Sequence, residues 1–271
     1  DPINALQAYS PPLPAFYGAS AFAYAEGVLL SPDLMVSRFF CGSFSLGDFR
    51  RAAANSGCEP GELLQAYPDR DVVRFADLNL VAFLELHIEQ GPVLEARNAR
   101  IGVVTGVQGS RWLSVAFKGT ANHAGTTPMS LRRDAFAGVC ELGVEVERMA
   151  LSEQLNVATV GTCAIHPGSI NVVAGSAACT IDLRDGSQER LDAAEATARK
   201  LIASIAQRRG LASTVERISD SPCVTFDERM VELLGESCRS QLNADEVLMM
   251  MSGASHDAQI LAAHAPTAML F

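Results

Sequence analysis

The sequence contains the stretch Leu86-His87-Ile88-Glu89-Gln90-Gly91-Pro92-Val93-Leu94-Glu95, which closes an apolar run that begins at Leu80. The run predicts a buried strand that ends near His87. In open α/β sheets the carboxyl ends of the strands form the ligand crevice, and an imidazole nitrogen is a common zinc ligand. His87 is therefore a candidate metal ligand, although a surface histidine that hydrogen-bonds the backbone fits the same position.

A second strand end, upstream of the first, offers a carboxylate. Residues 15–25 are small and apolar and predict another buried strand, which Glu26 and Gly27 follow. A glutamate oxygen binds zinc as an imidazole nitrogen does. Glu26 and His87 are thus candidates to supply one ligand each.

Composition excludes several classes of protein. The 271 residues are 48% hydrophobic and 19% charged, as in a packed protein large enough for two domains. A formal net charge of −10 argues against a nucleic-acid partner. No apolar run approaches the ~20 residues that span a bilayer, so we expect no membrane association. The seven cysteines are odd in number and form no CxxC pair, which favours free thiols, a reducing compartment and a cytoplasmic location.

From about Arg111 the pattern becomes that of an α+β unit. Leu113, Val115 and Phe117 alternate with other residues and predict a half-buried strand over Arg111–Lys118. The elements that follow are a helix over 131–150, strands over Val157–Ile165 and Ala178–Arg184, a helix over 188–209 and a strand over Thr214–Ile218. This order is the ferredoxin-like split pattern.

The two helices of this unit carry apolar residues at steps of three and four. Ser187 is placed to cap the second helix and Gly210 to end it. The predicted buried residues are Ala135, Val139, Leu142, Val146 and Met149 in the first helix and Leu191, Ala194, Ala198, Leu201 and Ile205 in the second.

The flanking segments predict one discontinuous α/β domain, a mixed sheet flanked by helices, made of residues 1–109 and 221–271. Residues 110–220 form the inserted ferredoxin-like domain. The last strand-like run, Pro266–Phe271, stops without a turn, and we expect the chain to be truncated at both ends.

Three polar positions in the inserted segment are candidates for ligand binding. His123 lies in a polar loop, where functional groups are common, but the loop could equally serve as a helix entry. Asn171 precedes two valines. Arg184 shares a strand face with Asp182 and suits bidentate carboxylate binding, unless it pairs with a neighbouring acid such as Asp185.

Several stretches together resemble the hydantoinase/carbamoylase family of zinc-dependent amidohydrolases, which belongs to the aminoacylase and carboxypeptidase superfamily. The first is His87–Glu95, which resembles the family motif HIEQGPxLE. The others, in family order, are Gly102–Gly109, Asn122–Met129 with Arg132–Ala135, Pro167–Val173, Asp182–Asp185 and Ser252–Ala258. Known members are N-carbamoyl-L-amino acid hydrolases, β-ureidopropionases and allantoate amidohydrolases.

The resemblance implies a metal-dependent mechanism and a homodimer formed through the inserted lid domain. Two divalent metals (zinc, with manganese, cobalt or nickel as alternatives) would activate a shared water that cleaves the C–N bond of a small ureido acid. The resemblance implies that His87 and Glu26 are metal ligands. It also implies that His123 stabilises the oxyanion and is contributed by the other subunit. It assigns substrate binding to Gln90, Asn171, Arg184 and the loop that contains His256, a residue for which a structural role stays equally open.

The chain departs from the family pattern at the general base. The family's Glu-Glu-Gly signature reads Ala25-Glu26-Gly27, so the carboxylate that would take the proton from the water is absent. The family's first His-x-Asp motif, the bridging Asp and a late metal-binding His also have no counterpart in the sequence. We therefore expect weak metal binding and slow turnover of ureido substrates.

Three alternatives stay open at this point. The chain could be a non-catalytic homologue that keeps dimerisation and carboxylate binding, or an allantoate-specific enzyme. The third alternative is a peptidase or aminoacylase of the superfamily. The amino-acid sequences of the His87–Glu95 and Asn122–Met129 stretches argue against it.

Overall fold

The computed structural model describes residues 34–45, 47–48, 51 and 74–271. The strand predicted over residues 15–25, with Glu26, and most of the helix-like segment at 46–67 lie outside the described residues. The chain divides into two compact units. The first contains the described residues up to Ala82 together with Ser255–Ala265, and the second contains Phe83–Ala254 and Pro266–Phe271.

The described residues form the following helices and strands. The helices are α1 (Met35–Phe40), α2 (Val93–Ala96), α3 (Ala135–Leu151), α4 (Gln188–Arg209), α5 (Glu228–Arg239) and α6 (Asp257–Leu261). The strands are β1 (Phe83–Leu86), β2 (Ile101–Val107), β3 (Gly109–Lys118), β4 (Asn122–His123), β5 (Val157–His166), β6 (Val172–Val173), β7 (Ser176–Asp185), β8 (Ala212–Ser221), β9 (Val224–Thr225), β10 (Val247–Ser252) and β11 (Thr267–Leu270).

The first unit contains α1 and α6, which pack on each other. Their contact buries apolar side chains, among them Met35 and Leu261. Burial raises the pKa of the Cys41 thiol at the end of α1 to about 11, with a smaller contribution from the Asp257 carboxylate.

A mixed sheet organises one part of the second unit, with the strand order β1-β11-β2-β10 and β9 beside β2. β1 runs parallel to β11 and β10 parallel to β2, whereas β11 and β9 run antiparallel to β2. Helix α5 packs on β2 and β11. The prediction of a mixed α/β sheet flanked by helices is confirmed.

The remainder of the second unit is a four-stranded antiparallel sheet with the order β5-β7-β3-β8. Helices α3 and α4 pack on it, and the core between them contains Leu113, Val115 and Phe117, each at most 1% exposed. Apart from the two-residue strands β4 and β6, the elements of this segment follow the chain as strand, helix, strand, strand, helix, strand, in the order that the sequence predicts.

Capping residues set the bounds of both helices: α4 has the predicted bounds, whereas α3 begins at Ala135 and not at residue 131, because Asp134 caps it there. The Asp134 carboxylate accepts the backbone N–H groups of Phe136 and Ala137, and Ser187 accepts that of Arg190. Gly210 ends α4 with a φ of 64°, a conformation that favours glycine. All the apolar residues predicted for the helix interfaces are buried except Leu201, which is half-buried because the neighbouring Ile202 points into the core instead.

A buried cation connects three elements of this sheet and its helices. The Arg111 guanidinium on β3 lies 2.5 Å from Asp192 and 3.2 Å from Glu195, both on α4, and 3.0 Å from Asp220 on β8. Glu195 also pairs with Arg199 and Arg217, so both buried charges of the cluster are compensated.

Among the helices in the described part of the chain, none combines the length and the apolar character that crossing a membrane requires.

Candidate functional site

His87 follows the last residue of β1. Its backbone N–H donates to the carbonyl O of Leu270 over 2.9 Å, so the pairing with β11 holds the residue in place. The imidazole Nδ1 lies 2.8 Å from the carbonyl O of Ile88. A carbonyl can only accept, so the neutral ring carries its proton on Nδ1 and its lone pair on Nε2. Metal-binding histidines are commonly oriented by such a bond.

Glu85 lies two residues before His87, on the same face of the strand. A carboxylate oxygen of Glu85 and a ring nitrogen of His87 lie within 4.8 Å of each other. Sequence reasoning missed Glu85 because it lies inside an apolar run. The signal was present all the same, since side chains two residues apart on a strand share a face.

A fixed turn follows His87. The Glu89 carboxylate accepts the backbone N–H of Val93 over 2.7 Å and that of Leu94 over 2.9 Å, and it thereby caps α2. A Cβ at Gly91 would lie 2.9 Å from Glu89 Oε1, so glycine suits this position. Gln90, the predicted substrate-binding residue, is exposed between them with a φ of 55°.

His123 is exposed on the short strand β4, which pairs with β6. Its Nδ1 accepts the backbone N–H of Gly125 over 3.1 Å. The neutral ring therefore carries its proton on Nε2, which is the opposite of the His87 tautomer. An imidazole in this state can donate a hydrogen bond through Nε2 to an anionic oxygen.

The loop after His123 is held by its own hydrogen bonds. Thr127 Oγ1 donates to the His123 carbonyl O over 2.7 Å, and Arg132 Nε donates to the Thr127 carbonyl O over 3.1 Å. The backbone N–H of Ala124 donates to the Asn171 carbonyl O over 2.8 Å. The structure thus brings the predicted residues His123 and Asn171 to adjacent backbone segments.

Arg184 on β7 binds the neighbouring Asp182. Nε and Nη2 of Arg184 contact both carboxylate oxygens, at 2.7 to 3.1 Å, while Nη1 donates to the Gly253 carbonyl O over 2.6 Å. Asp185, the acid considered from the sequence, lies on the buried face instead and pairs with Arg190. Arg184 therefore has an acidic partner, and that partner is Asp182.

His256 belongs to the first unit, where it is 1% exposed and precedes α6. Its backbone N–H donates to Gln259 Oε1 and its carbonyl O accepts the Gln259 N–H, each over 3.1 Å. These bonds give His256 a structural part in starting the helix. Its substrate-binding role stays a prediction, and Glu26 and Ala25 lie outside the described residues.

Comparison with known proteins identifies the lineage. Residues 48–271 match the peptidase family M20/M25/M40. The chain belongs to this family. Its relatives include an N-carbamoyl-L-amino-acid amidohydrolase of Pseudomonas sp. (strain NS671), 33% identical over 261 residues, which are 93% of this chain and 62% of the relative. The allantoate amidohydrolase of Escherichia coli (strain K12) is 38% identical over 197 residues, 71% of this chain and 47% of the relative.

Solved structures support the same branch. A hydantoinase/carbamoylase family amidase from Burkholderia multivorans aligns with a TM-score of 0.82 and 38% identity, over 91% of this chain and 60% of that one. The chain thus spans less than two thirds of these relatives' own lengths. Its relatives include carbamoylases and an allantoate amidohydrolase, so its lineage is that of hydrolases, as the resemblance implies.

The family is metal-dependent, and the residues at the end of β1 fit a divalent ion. A carboxylate oxygen and an imidazole nitrogen are both donors that zinc accepts. The bond from Nδ1 of His87 to Ile88 leaves the ring in the tautomer that binds a metal through Nε2.

Proposed function

We propose that this protein hydrolyses the linear ureido or amide C–N bond of N-carbamoyl amino acids or related ureido acids by means of a metal-activated water. The observation that carries the proposal is the His87 imidazole at the end of β1, with its tautomer set by Ile88 and the Glu85 carboxylate beside it. Relatives that match most of this chain include N-carbamoyl-L-amino-acid and allantoate amidohydrolases.

His87 and Glu26 hold the metal in this proposal, with zinc, manganese, cobalt or nickel as the candidate ions and two ions per site. A bound divalent metal lowers the pKa of its water and polarises the ureido carbonyl. The ordered turn at Glu89 and Gly91 fixes the backbone next to His87, and Gln90 contacts the substrate there.

His123 supplies the oxyanion donor. The bond from the Gly125 N–H to Nδ1 keeps the proton on Nε2, where it can stabilise the oxygen that gains charge in the transition state. We assign this histidine to the site of the partner subunit in a homodimer, with residues 110–220 as the lid and dimerisation domain. Among the described strands, β5 and β8 each have one neighbour only, and such edges can pair with a second copy.

Arg184 and Asn171 bind the substrate carboxylate. Nη1 of the Arg184 guanidinium donates to the Gly253 carbonyl O, and Nη2 donates to the Asp182 carboxylate. A substrate carboxylate replaces the Gly253 oxygen and gains a charge-assisted hydrogen bond. Asp182 then serves to orient the guanidinium.

The alanine at position 25 lowers the rate in this proposal. A positioned general base contributes roughly 10²–10⁴-fold to the rate, and Ala25 has no group that can accept a proton. This residue also favours the second candidate function, a non-catalytic homologue that binds ureido acids. Metal stoichiometry on the protein separates the two, since the enzyme requires bound metal and simple carboxylate binding does not.

The test is an assay panel on the purified chain. N-carbamoyl-L-amino acids, N-carbamoyl-β-alanine and allantoate are each supplied with zinc, manganese, cobalt or nickel, and release of the amino product is measured. We expect slow hydrolysis, and we expect a chelator or the substitution His87→Asn to abolish it. The matched control His166→Asn, which replaces an exposed histidine on β5, should preserve the activity. Ureido-acid binding without metal and without hydrolysis would favour the non-catalytic homologue.

A further inference from the structure

We propose that Glu85 is a metal ligand, so that β1 presents a carboxylate oxygen and an imidazole nitrogen to the same divalent ion. The inference rests on the proposed function to the extent that the chain must bind a metal. It adds a residue that neither the sequence motifs nor the family resemblance identified.

The strand geometry brings the two donors together. Cα atoms two residues apart on a strand are about 7 Å apart, yet the donor atoms of Glu85 and His87 lie within 4.8 Å of each other. The side chains therefore converge. Two ligand atoms that each lie about 2.1 Å from a zinc ion would be at most about 4.2 Å apart, so the 4.8 Å limit is close to what a shared ion requires.

The backbone beneath the pair is held by β11. Glu85 is opposite Met269 and Leu86 is opposite Leu270 in the parallel ladder, and the His87 N–H extends this pairing. Met269 is fully buried. Because both donors are on one paired strand, much of the entropy needed to position them is lost on folding and not on metal binding.

The environment of His87 argues that Glu85 does more than orient the ring. A carboxylate near a metal-binding histidine often accepts the proton of the other ring nitrogen. Here the Ile88 carbonyl O already accepts the Nδ1 proton of His87. The bond to Ile88 already orients the ring, so the role that we propose for the Glu85 carboxylate is that of a ligand.

The experiment measures binding of Zn²⁺ and Co²⁺ to the chain by isothermal titration calorimetry, with the visible spectrum of the Co²⁺ form as a second readout. Glu85→Gln keeps the shape of the side chain and removes its charge. We expect it to raise the Kd by at least 10–100-fold and to alter the Co²⁺ spectrum. Glu85→Asp, which keeps a carboxylate, should fall between Gln and the wild type.

The controls make the outcomes distinct. Glu95→Gln changes an exposed glutamate of the same motif and should leave the Kd within about twofold of the wild-type value. If Glu85→Gln binds metal as the wild type does while His87→Asn does not, the ligand role of Glu85 is overturned and the proposed function stands. If the wild type binds neither ion, both proposals fail. Circular dichroism establishes that each variant is folded, and Glu85→Asp decides the question if Glu85→Gln is not.

Discussion

At the scale of single residues, backbone groups set the chemistry of the two candidate histidines. The Gly125 N–H donates to Nδ1 of His123, whereas the Ile88 carbonyl O accepts from Nδ1 of His87. The two rings are therefore opposite tautomers, one suited to donating through Nε2 and the other to binding a metal there.

These tautomers are directly measurable. In ¹⁵N spectra of the histidine-labelled chain without metal, at a pH where both rings are neutral, we expect a protonated Nε2 for His123 and a protonated Nδ1 for His87. The variants His123→Asn and His87→Asn assign the signals. The same tautomer at both positions would contradict the proposed roles.

The sequence carried part of this information. It singled out His87, His123, Asn171 and Arg184, because histidines are few and strand ends and polar loops are recognisable. It could not give the tautomers, which depend on backbone groups placed by folding. The Asp182 partner of Arg184 was readable from strand alternation, because residue 182 shares the face of Arg184 and Asp185 does not.

At the scale of elements, the Arg111 cluster holds β3, β8 and α4 together. The Arg111 side chain is only 6% exposed and lies among three carboxylates. Its removal leaves the buried Glu195 with less compensation, and loss of one partner from a buried pair typically costs about 3–5 kcal/mol.

We expect Arg111→Met to lower the free energy of unfolding by about 3 kcal/mol. Urea unfolding followed by the fluorescence of Trp112, the one tryptophan of the sequence, reports on the same strand. Arg148→Met removes an arginine from an exposed pair with Glu145 and should change stability by no more than about 0.5 kcal/mol. Equal effects of the two variants would show that the buried cluster does not stabilise the sheet.

A second ion pair makes the contact between α3 and α4 pH-dependent. Hydrogen bonds from Arg208 and Arg209 hold the pKa of Glu141 below its usual value. A lowered pKa in the folded state stabilises the protein above the unfolded pKa of about 4.3, and this stabilisation is lost as the pH falls through the folded pKa.

Glu141→Gln should therefore be less stable than the wild type at neutral pH, by less than about 1 kcal/mol because the pair is partly exposed. The difference should shrink as the pH falls below the unfolded pKa of about 4.3 and through the lower folded pKa of Glu141. A series of urea titrations from neutral to acid pH measures it, with the exposed Glu147→Gln on the same helix as the control. A difference that grows toward acid pH would contradict the assignment.

The longer elements were predictable from the sequence and the shortest were not. Helix α4 begins and ends at the predicted residues, because a serine cap, a terminal glycine and a regular apolar spacing all agree. Strands β4, β6 and β9 have two residues each, too few to show a period. Gly106 is a residue in the sequence that agrees with the presence of β9, because a Cβ at this position would lie 2.3 Å from the Val224 carbonyl O.

At the scale of the whole molecule, family membership favours a hydrolase, whereas the alanine at position 25 favours a low rate of hydrolysis. The chain matches the M20/M25/M40 family over residues 48–271, and its relatives include carbamoyl amino acid hydrolases. The motif to which the family resemblance assigns the general base nevertheless reads Ala25-Glu26-Gly27. We reconcile the two by proposing that the chain performs the family's chemistry at a reduced rate.

The most direct test compares the wild-type chain with Ala25→Glu, both loaded with zinc or cobalt, in hydrolysis of N-carbamoyl amino acids. We predict that restoring the carboxylate raises the rate by roughly 10²–10⁴-fold, and that His87→Asn in the same background removes the gain. Fast metal-dependent hydrolysis by the wild type that Ala25→Glu does not improve would contradict it.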